Sequence, residues 1–327
     1  MSRVQTRRAA AGTFVVVLSL VLAQSREDVL AQSRGQTTTL ASSGSPARPV
    51  VIPLTIRVKG EVAPSELELQ TVDLTVNEDG EPQTILSVRA MGTSSPINLI
   101  VLIQDDVVSS IGLEIRSLAQ FIRRLPRGSR VSVGSLRTGS LQVRQKFTAD
   151  LEKAAKSLRG PIGMASVAPY NPYVEVIEAL RRFDAQPAGR RAILLVSDGL
   201  DTSHGIDSSG PTQSLDLQRA INEAQRRGVA IYSFYAPTVT TATDGNLISN
   251  AQSSLQRISD ETGGRAFFQG FGAPTSFDPF IKELNSALDR QIALTYLSTH
   301  LNKGFHRVKI SSSTPGVEIT YPTGYKR

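Results

Sequence analysis

The sequence contains no cysteine and no tryptophan, and aromatic residues make up only 6% of its 327 residues. Without cysteine the chain can form neither a disulfide nor the cysteine-linked anchor of a lipoprotein. The sequence also lacks a P-loop, a Rossmann glycine fingerprint and the Gly-x-Ser-x-Gly elbow of serine hydrolases. These absences argue against nucleotide-dependent, dinucleotide-dependent and serine-hydrolase chemistry.

The charge balance does not indicate nucleic-acid binding. Lys and Arg number 36 and Asp and Glu number 29, which gives a net charge of +7. Three of the basic residues lie within the first 23 residues, which contain no acidic residue. The remaining excess is small, and no basic segment interleaved with aromatic residues is present. We therefore expect no nucleic-acid partner.

The N-terminus has the features of an export signal. Three arginines, Arg3, Arg7 and Arg8, precede an apolar stretch from about Ala9 to Leu22. Val21-Leu22-Ala23 favours cleavage before Gln24, and Ala31 offers a second cleavage point. We predict a signal peptide over 1–23 and a periplasmic, cell-surface or secreted protein. The alternative is an uncleaved anchor, although the apolar stretch is short for a membrane span. We expect no stable membrane span after cleavage.

Two flanking segments have the alternation of short antiparallel strands. Residues 24–48 are rich in Gln, Ser, Thr, Arg and Gly, which predicts a disordered linker. Alternating strands follow over 49–93, with turn residues at Asn77–Glu81. The C-terminal segment 299–327 alternates in the same way. Because neither flank is long enough to bury a core alone, we predict that 49–93 and 299–327 pack together as one small antiparallel β domain.

The region 96–298 alternates strands with helices. Strands are expected at 98–105, 130–136, 140–146, 192–197, 229–235, 265–268 and 292–298, and helices at 112–124, 150–158, 173–183, 214–227, 250–262 and 278–290. This rhythm predicts an α/β fold with a doubly wound, mostly parallel sheet and helices on both faces. Two of the strands, 130–136 and 140–146, have the short spacing of a hairpin, which predicts one antiparallel edge strand.

Three motifs resemble those of a known family. Asp198-Gly199 follows an apolar strand, the segment Leu74–Ile85 precedes the α/β region, and Gly324-Tyr325 lies near the C-terminus. Together with the order of elements, these motifs resemble a von Willebrand factor type A domain of the exported bacterial, acidobacterial-type, von Willebrand A-related group. The resemblance covers about residues 50–327.

The resemblance implies a metal-ion-dependent adhesion site, although this chain departs from the family pattern Asp-x-Ser-x-Ser. A register beginning at Asp105 retains Ser109 but places Val107 where a serine is expected; one beginning at Asp106 retains Ser110 but places Val108 there. Both registers lose one hydroxyl. The family's Asp after the fourth strand matches Asp198, and its middle-loop Thr has no clear counterpart, with Asn171 or Ser166 nearby in sequence.

Such a degenerate site is expected to bind Mg²⁺ or Mn²⁺ weakly, with an acidic side chain of a partner protein completing the metal shell. The alternative is a metal-free structural scaffold in which Asp105 caps a helix and Asp198 belongs to a turn. Tyr170, Asn171, Tyr173 and Asp201 are expected to contact the partner, with local packing as the alternative role for the aromatic residues.

A third interpretation is a metal-dependent hydrolase using the loop 198–207. This loop contains three aspartates and His204, which is a set of possible metal ligands, but no second histidine lies near it in sequence. The solvated loop is the simpler interpretation. We therefore expect an exported, non-catalytic protein-recognition or adhesion module rather than an enzyme.

Overall fold

The computed structural model describes residues 47–58, 73–92, 94–137, 139–162, 170–187 and 189–327. The predicted signal peptide, residues 24–46 of the predicted linker, and Ser166 lie outside these ranges. Within them the chain forms thirteen strands, namely β1 (Arg48–Val58), β2 (Leu74–Glu78), β3 (Glu81–Ala90), β4 (Ile97–Gln104), β5 (Arg130–Arg137), β6 (Ser140–Thr148), β7 (Arg190–Ser197), β8 (Ala230–Tyr235), β9 (Ala266–Phe267), β10 (Gln291–Ser298), β11 (Phe305–Ser312), β12 (Val317–Thr320) and β13 (Gly324–Lys326).

All six predicted helices are present in the described residues: α1 (Ile115–Arg123), α2 (Leu151–Ser157), α3 (Pro172–Arg181), α4 (Leu215–Arg227), α5 (Gly245–Glu261) and α6 (Asp278–Asp289). Helix α5 begins five residues earlier than predicted because the Asp244 carboxylate accepts hydrogen bonds from the N–H groups of Asn246 and Leu247. The start of the first predicted helix is instead a 3₁₀ helix, Ser109–Glu114. In the described part of the chain, no helix has the length and apolar character needed to cross a membrane.

A six-stranded sheet carries the α/β part of the fold. Its strand order is β6-β5-β4-β7-β8-β9, and every neighbouring pair is parallel except β5 and β6. The antiparallel β5–β6 pair is the hairpin that the sequence predicted. From β4 the chain proceeds first to β5 and later to β7 on the other side. The gap between the carboxyl ends of β4 and β7 is therefore the switch point at which open α/β sheets place their sites.

Helices cover both faces of this sheet, as predicted. On β4, Leu99, Val101 and Ile103 enter a core that includes residues of α1, α2 and α6. The alternate residues Ile100 and Leu102 enter a second core with α3, α4 and α5. Burial on both faces explains why β4 is apolar at nearly every position.

Strands from both ends of the described region form a second, antiparallel sheet. Its order is β12-β1-β10-β3-β2-β11-β13, so β1 lies between β10 and β12, and β2 lies between β3 and β11. Its inward side chains include Leu54 on β1, Leu294 on β10 and Ile310 on β11. With seven strands, this sheet is larger than the small β unit that the sequence predicted.

Strand β10 differs from its predicted place. The sequence assigned residues 292–298 to the doubly wound sheet, whereas β10 pairs antiparallel with β1 and β3. The physical reason is its one-sided burial: Ile292, Leu294 and Tyr296 are buried, and Ala293 and Thr295 between them are less so. Such alternation suits a sheet with one packed face.

The buried Arg190 at the start of β7 connects the two sheets. Its guanidinium donates hydrogen bonds to Gln291 Oε1 at 2.9 Å, Leu288 O at 2.6 Å and Ser95 O at 3.0 Å. Two of these acceptors belong to β10 and to the end of α6, so one side chain fixes the antiparallel sheet against the parallel one. Both sheets belong to one compact unit, Gly44–Arg327.

Candidate functional site

Two strand ends place polar side chains at the switch point. Gln104 is the last residue of β4, and Ser197 is the last residue of β7. Asp106 and Asp198 follow within two residues. We call Gln104, Asp106, Ser197 and Asp198 the edge cluster.

The buried Gln104 amide joins the edge cluster together. Its Oε1 accepts hydrogen bonds from Ser197 Oγ and from the N–H of Asp198, the latter at 3.1 Å. Its Nε2 donates to Asp106 Oδ1 at 2.8 Å. One neutral side chain therefore connects the ends of β4 and β7 by hydrogen bonds.

Asp198 is almost fully buried, with 3% of its surface exposed. Its Oδ1 accepts a hydrogen bond from the Leu200 N–H at 3.1 Å. The pKa of Asp198 is raised to about 7: burial and the nearby Asp106 carboxylate raise it, and hydrogen bonds from the Leu200 N–H and to Gln104 and Thr238 oppose the rise. Burial thus favours the neutral form of this carboxyl group.

Gly199 fixes the backbone after Asp198. Its φ is +73°, and a Cβ at this position would lie 2.4 Å from Leu255 Cγ on α5. Only glycine combines this left-handed conformation with so close an approach. The Asp-Gly pair is therefore required by the packing of the loop as well as by any ligand.

The other predicted metal ligands do not all converge on Asp198. Asp105 lies beside Ser135 and Arg144, with its Oδ2 at 4.0 Å from Arg144 Nη2, and burial raises its pKa. Burial also raises the pKa of Asp106. Ser109 and Ser110 are exposed at the start of the 3₁₀ helix. The structure thus brings Asp106 and Asp198 together through Gln104, and it turns Asp105 towards β5 and β6.

Sequence reasoning missed Gln104 and Thr238. Val107 forms an isolated β-bridge with Thr238, and the Val108 N–H donates to Pro237 O at 2.9 Å. These contacts place the loop after β8 against the loop after β4. The sequence did contain a signal for Gln104. It lies two residues after the apolar Leu102, so both side chains point to the same face of β4, and it immediately precedes the two aspartates.

The four predicted partner contacts are buried and support the loop after β7. Asn171 caps α3 by accepting from the Tyr173 N–H, and its amide donates to Asp216 at 2.9 Å. Tyr173 donates its hydroxyl to Gly199 O at 2.6 Å. Asp201 accepts from the Ser203 N–H at 3.0 Å and from Ser214 Oγ at 2.5 Å. As placed, these side chains hold the loop in position and are not on its surface.

The remaining partner candidate, Tyr170, lies among the acidic groups of this region. Its ring is buried, and its hydroxyl has no hydrogen-bond partner among the described residues. Burial raises the pKa of Tyr170, and Glu175, Asp106, Asp198 and Asp105 raise it further. The Tyr170 hydroxyl is therefore a neutral group facing carboxyl groups from three segments.

Exposed apolar side chains lie in the segments around the edge cluster. Ile162 is the last residue before a range that the structure does not describe, and its N–H donates to Asp105 O at 2.8 Å. Glu114 Oε2 accepts from the Phe277 N–H at 2.7 Å, which joins the segment after β4 to the segment after β9. We call the exposed apolar group of these segments the rim, and it consists of Leu113, Ile162, Ile206, Val239, Phe268 and Phe271.

Two side chains of the rim are exposed over most of their surface. Leu113 is 80% exposed and Phe271 is 71% exposed. Ile206, Val239, Phe268 and Phe271 follow β7, β8 and β9, and these parallel strands end at the same edge of the sheet. Other exposed apolar side chains, among them Val51, Leu86 and Phe305, lie on or beside the antiparallel sheet.

The donor set of the edge cluster does not fit a hard-cation site well. The neutral Gln104 amide hydrogen-bonds to the Asp106 carboxylate and to the Asp198 N–H, and burial favours the protonated form of the Asp198 carboxyl group. Among the described residues, the one group of three His or acidic side chains with ligand atoms within 4.8 Å of one another is Glu78, Asp79 and His300. That group belongs to the antiparallel sheet.

Comparisons with known proteins give limited guidance. No family model matches the sequence, and no curated protein matches it. Among solved structures, an aerotolerance-related membrane protein from Bacteroides fragilis is 13% identical, covers 58% of this chain and 98% of its own, and has a TM-score of 0.38.

Two further structures are similar at the same level. The conserved hypothetical protein BatB from Bacteroides thetaiotaomicron is 13% identical, with coverage of 58% and 97% and a TM-score of 0.41. The manganese-loaded TRAP protein from Plasmodium vivax is 11% identical, with coverage of 76% and 97% and a TM-score of 0.39. At TM-scores this low the similarities carry no argument about function, which rests on the geometry of this chain.

Proposed function

We propose that this chain is an exported, non-catalytic protein-recognition module whose partner binds the rim at the carboxyl edge of the six-stranded sheet. The observation that carries the proposal is the exposure of the six rim side chains around a buried, internally hydrogen-bonded centre. Such a surface offers apolar contact area without reactive groups. The partner is expected to present apolar side chains to it.

The binding does not require a metal at the edge cluster. Gln104 already joins Asp106 to Ser197 and Asp198, and a cation would have to displace these hydrogen bonds and bind a carboxyl group whose pKa is raised by burial. The predicted bridge from a metal ion to an acidic partner residue is therefore the less supported form of the proposal.

A direct test places a photo-reactive amino acid at Phe271 of the rim, or at Leu86 on β3 as the control, in cells that produce the protein. Both side chains are exposed. A partner adduct formed from position 271 and absent from position 86 supports the proposal. An adduct formed only from position 86 contradicts it.

A matched pair of triple variants measures the affinity of the cross-linked partner. Ile206→Thr, Val239→Thr and Phe271→Thr together remove three apolar rim contacts, and we expect a loss of affinity of at least tenfold. The control combines Val51→Thr, Leu86→Thr and Val88→Thr on exposed positions of the antiparallel sheet. Equal affinity of the two variants, at equal melting temperature, would reject the rim as the binding surface.

Export has its own experiment. The full chain is expected to reach the periplasm or medium of a Gram-negative host with a new N-terminus near Gln24, because 1–23 has the composition of a signal peptide. A chain lacking residues 1–23 is the control and is expected to remain in the cytoplasm. Retention of both forms in the cytoplasm would contradict export.

The hydrolase alternative has no observation in its favour. Both carboxylate oxygens of Asp201 accept hydrogen bonds from within the loop, and Asp198 is buried. His204 and Asp207 are exposed. These groups act as loop supports or solvated side chains, which is the simpler role. Turnover that is lost on His204→Gln would revive this alternative.

A further inference from the structure

The turn between β2 and β3 carries acidic groups that lie beside histidines of the C-terminal segment. Glu78 and Asp79 are at this turn, where Asp79 has φ +50° and Gly80 has φ +92°, the backbone of a tight hairpin turn. His300 follows β10, and His306 lies on β11. Glu78, Asp79 and His300, which we call the flank cluster, place ligand atoms within 4.8 Å of one another.

Glu78 has an unused, fully buried oxygen. Its side chain is 0% exposed. Its Oε1 accepts hydrogen bonds from Ser298 Oγ at 3.0 Å and from the Tyr325 hydroxyl at 2.8 Å. Its buried Oε2 has no hydrogen-bond partner among the residues that the structure describes. A buried carboxylate oxygen without a donor or cation is costly, so this atom indicates a missing ligand.

His300 has a matching unused nitrogen. Its Nδ1 lies 3.8 Å from Glu78 Oε1 and is buried without a hydrogen-bond partner. Its Nε2 lies 3.5 Å from Glu81 Oε2. A proton on Nε2 facing Glu81 leaves the Nδ1 lone pair directed at Glu78. Histidine ligands of metals are commonly oriented by a carboxylate on the opposite nitrogen in this way.

Asp79 is held in position by the same segment. Its Oδ1 accepts from the Arg307 N–H at 2.8 Å, and its Oδ2 lies 2.8 Å from His306 Nδ1. His306 Nε2 in turn donates a hydrogen bond to Asn302 O at 2.8 Å, so both ring nitrogens of His306 face acceptors. Each Asp79 oxygen retains a lone pair after these contacts. The imidazolium of His306 offsets one of the three carboxylates, Glu78, Asp79 and Glu81, and the remaining negative charge favours a cation at His300.

We propose that Glu78, Asp79 and His300 bind a divalent transition-metal ion of the zinc class. Two carboxylate oxygens and one imidazole nitrogen form a mixed oxygen and nitrogen donor set, which suits Zn²⁺ better than Mg²⁺. Water completes the coordination. The ion connects the β2–β3 turn to the segment between β10 and β11, and so it fastens N-terminal strands to C-terminal strands of the antiparallel sheet in a chain that has no cysteine for disulfides.

A proton is the competing occupant of this space. An imidazolium at His300 lies between Glu78 and Glu81 and pairs with both without any metal. The two cases differ in a measurable way: at pH 7.5, Zn²⁺ binding to the metal-free protein occurs only if Nδ1 is available as a ligand.

The test is calorimetric titration of the full, untagged chain with Zn²⁺, Mn²⁺ and Mg²⁺ at pH 7.5 after chelator treatment, together with thermal unfolding. We expect one Zn²⁺ per chain with micromolar or tighter affinity, weaker Mn²⁺, no Mg²⁺, and a melting temperature raised by several degrees with Zn²⁺. His300→Gln is expected to weaken Zn²⁺ binding at least tenfold, because it removes the imidazole ligand. The variant is expected to fold, because the buried Nδ1 of His300 makes no hydrogen bond to a described residue.

Two controls locate the ion. His204→Gln removes an exposed histidine of the loop after β7, and Asp198→Asn removes a carboxylate of the edge cluster; both are expected to leave Zn²⁺ affinity unchanged. Loss of binding in His204→Gln would place the ion at the loop after β7, and loss in Asp198→Asn would place it at the edge cluster. Either result, with retention in His300→Gln, would overturn the proposal. The zinc site does not depend on whether the rim binds a partner.

A second measurement covers the case in which His300→Gln does not fold. X-ray absorption of the zinc-loaded wild-type protein is expected to show oxygen and nitrogen ligands with the scattering of one imidazole. Glu81→Gln, at an exposed position, is expected to weaken binding several-fold by releasing the His300 ring. A wild-type dissociation constant above about 100 μM, or a zinc shell without imidazole, would overturn the proposal.

Discussion

The edge cluster and the flank cluster each contain two carboxyl groups within a few residues of a strand end, yet they are completed in different ways. In the edge cluster, the Gln104 amide occupies the centre and supplies both a donor and an acceptor. In the flank cluster, Glu78 Oε2 and His300 Nδ1 have no hydrogen-bond partner. Both clusters contain two carboxyl groups. The Gln104 amide supplies hydrogen bonds in the edge cluster, whereas the flank cluster has no such amide and therefore favours a cation.

The largest expected effect comes from removing the amide of the edge cluster. Gln104→Leu leaves the Ser197 hydroxyl, the Asp198 N–H and Asp106 without their partner, and we expect the free energy of unfolding to fall by about 3–5 kcal/mol. Urea denaturation measures it, with Gln142→Leu at an exposed strand position as the control. A loss below about 1 kcal/mol would mean that Gln104 is not the centre of the cluster.

The next effect tests whether acids near the edge cluster hold protons. Glu175 on α3 is buried, and its pKa is raised to about 7. Burial is the largest cause and the Glu178 carboxylate adds to the rise, whereas backbone N–H groups at the β5–β6 turn lower the pKa. The Tyr170 hydroxyl faces it as a neutral group. Because the native state retains a proton that the unfolded chain has lost above its ordinary pKa, the contribution to stability falls as pH rises from about 4.5 to 7.

Glu175→Gln imitates the protonated acid and removes this dependence. We expect the variant to match the wild type near pH 4.5 and to exceed it by about 2 kcal/mol at pH 8, in urea unfolding at both values. Asp207→Asn, at an exposed position of the loop after β7, is the control and is expected to keep the pH dependence of the wild type. A Glu175→Gln difference that is independent of pH would contradict the raised pKa.

A third variant makes the edge cluster resemble the flank cluster. Gln104→Glu, made in a His300→Gln background to silence the flank cluster, replaces the amide with a third carboxylate beside Asp106 and Asp198. We expect lower stability without ions and a recovery of about 1 kcal/mol in millimolar Mn²⁺. His300→Gln alone is the reference and should not respond to Mn²⁺. An equal response of both proteins would show that Gln104 does not exclude the cation.

The smallest effect concerns His300 in the absence of metal. In the presence of a chelator, His300→Gln should unfold within about 0.5 kcal/mol of the wild type, since its buried Nδ1 makes no hydrogen bond to any described residue. Thermal and urea unfolding in chelator measure this. A loss of about 2 kcal/mol or more would mean that the ring stabilises the fold by ion pairing, with the proton as its occupant.

The parallel strands were predictable because burial on both faces produces continuous apolar runs. Strands β4 and β7 lie within two residues of their predicted bounds. Strand β10 was assigned to the wrong sheet because it follows a helix in the βα rhythm, although its alternation of Ile292, Leu294 and Tyr296 with smaller residues was the signal of a sheet packed on one face.

The sites were less predictable because their members are distant in sequence. Asp106 and Asp198 could be chosen by residue type, whereas Gln104 is not a metal ligand and was overlooked. Glu78 and His300 are more than 200 residues apart, and only the pairing of the two flanks brings them together. The signal was indirect: two of the three histidines lie in the segment predicted to pack against the Asn77–Glu81 turn.

The pairing of β2 with β11 has a consequence for the order in which the chain folds. Thr75 and Ser311, joined by a hydrogen bond, are 236 residues apart. Contacts of such long range form late, because the entropy of closing the intervening loop must first be overcome. The six-stranded sheet is synthesised entirely between these two strands. It can therefore be completed while β1 and β2 still present open edges, so a chain stopped before Phe305 leaves β2 exposed to chaperones or to other nascent chains.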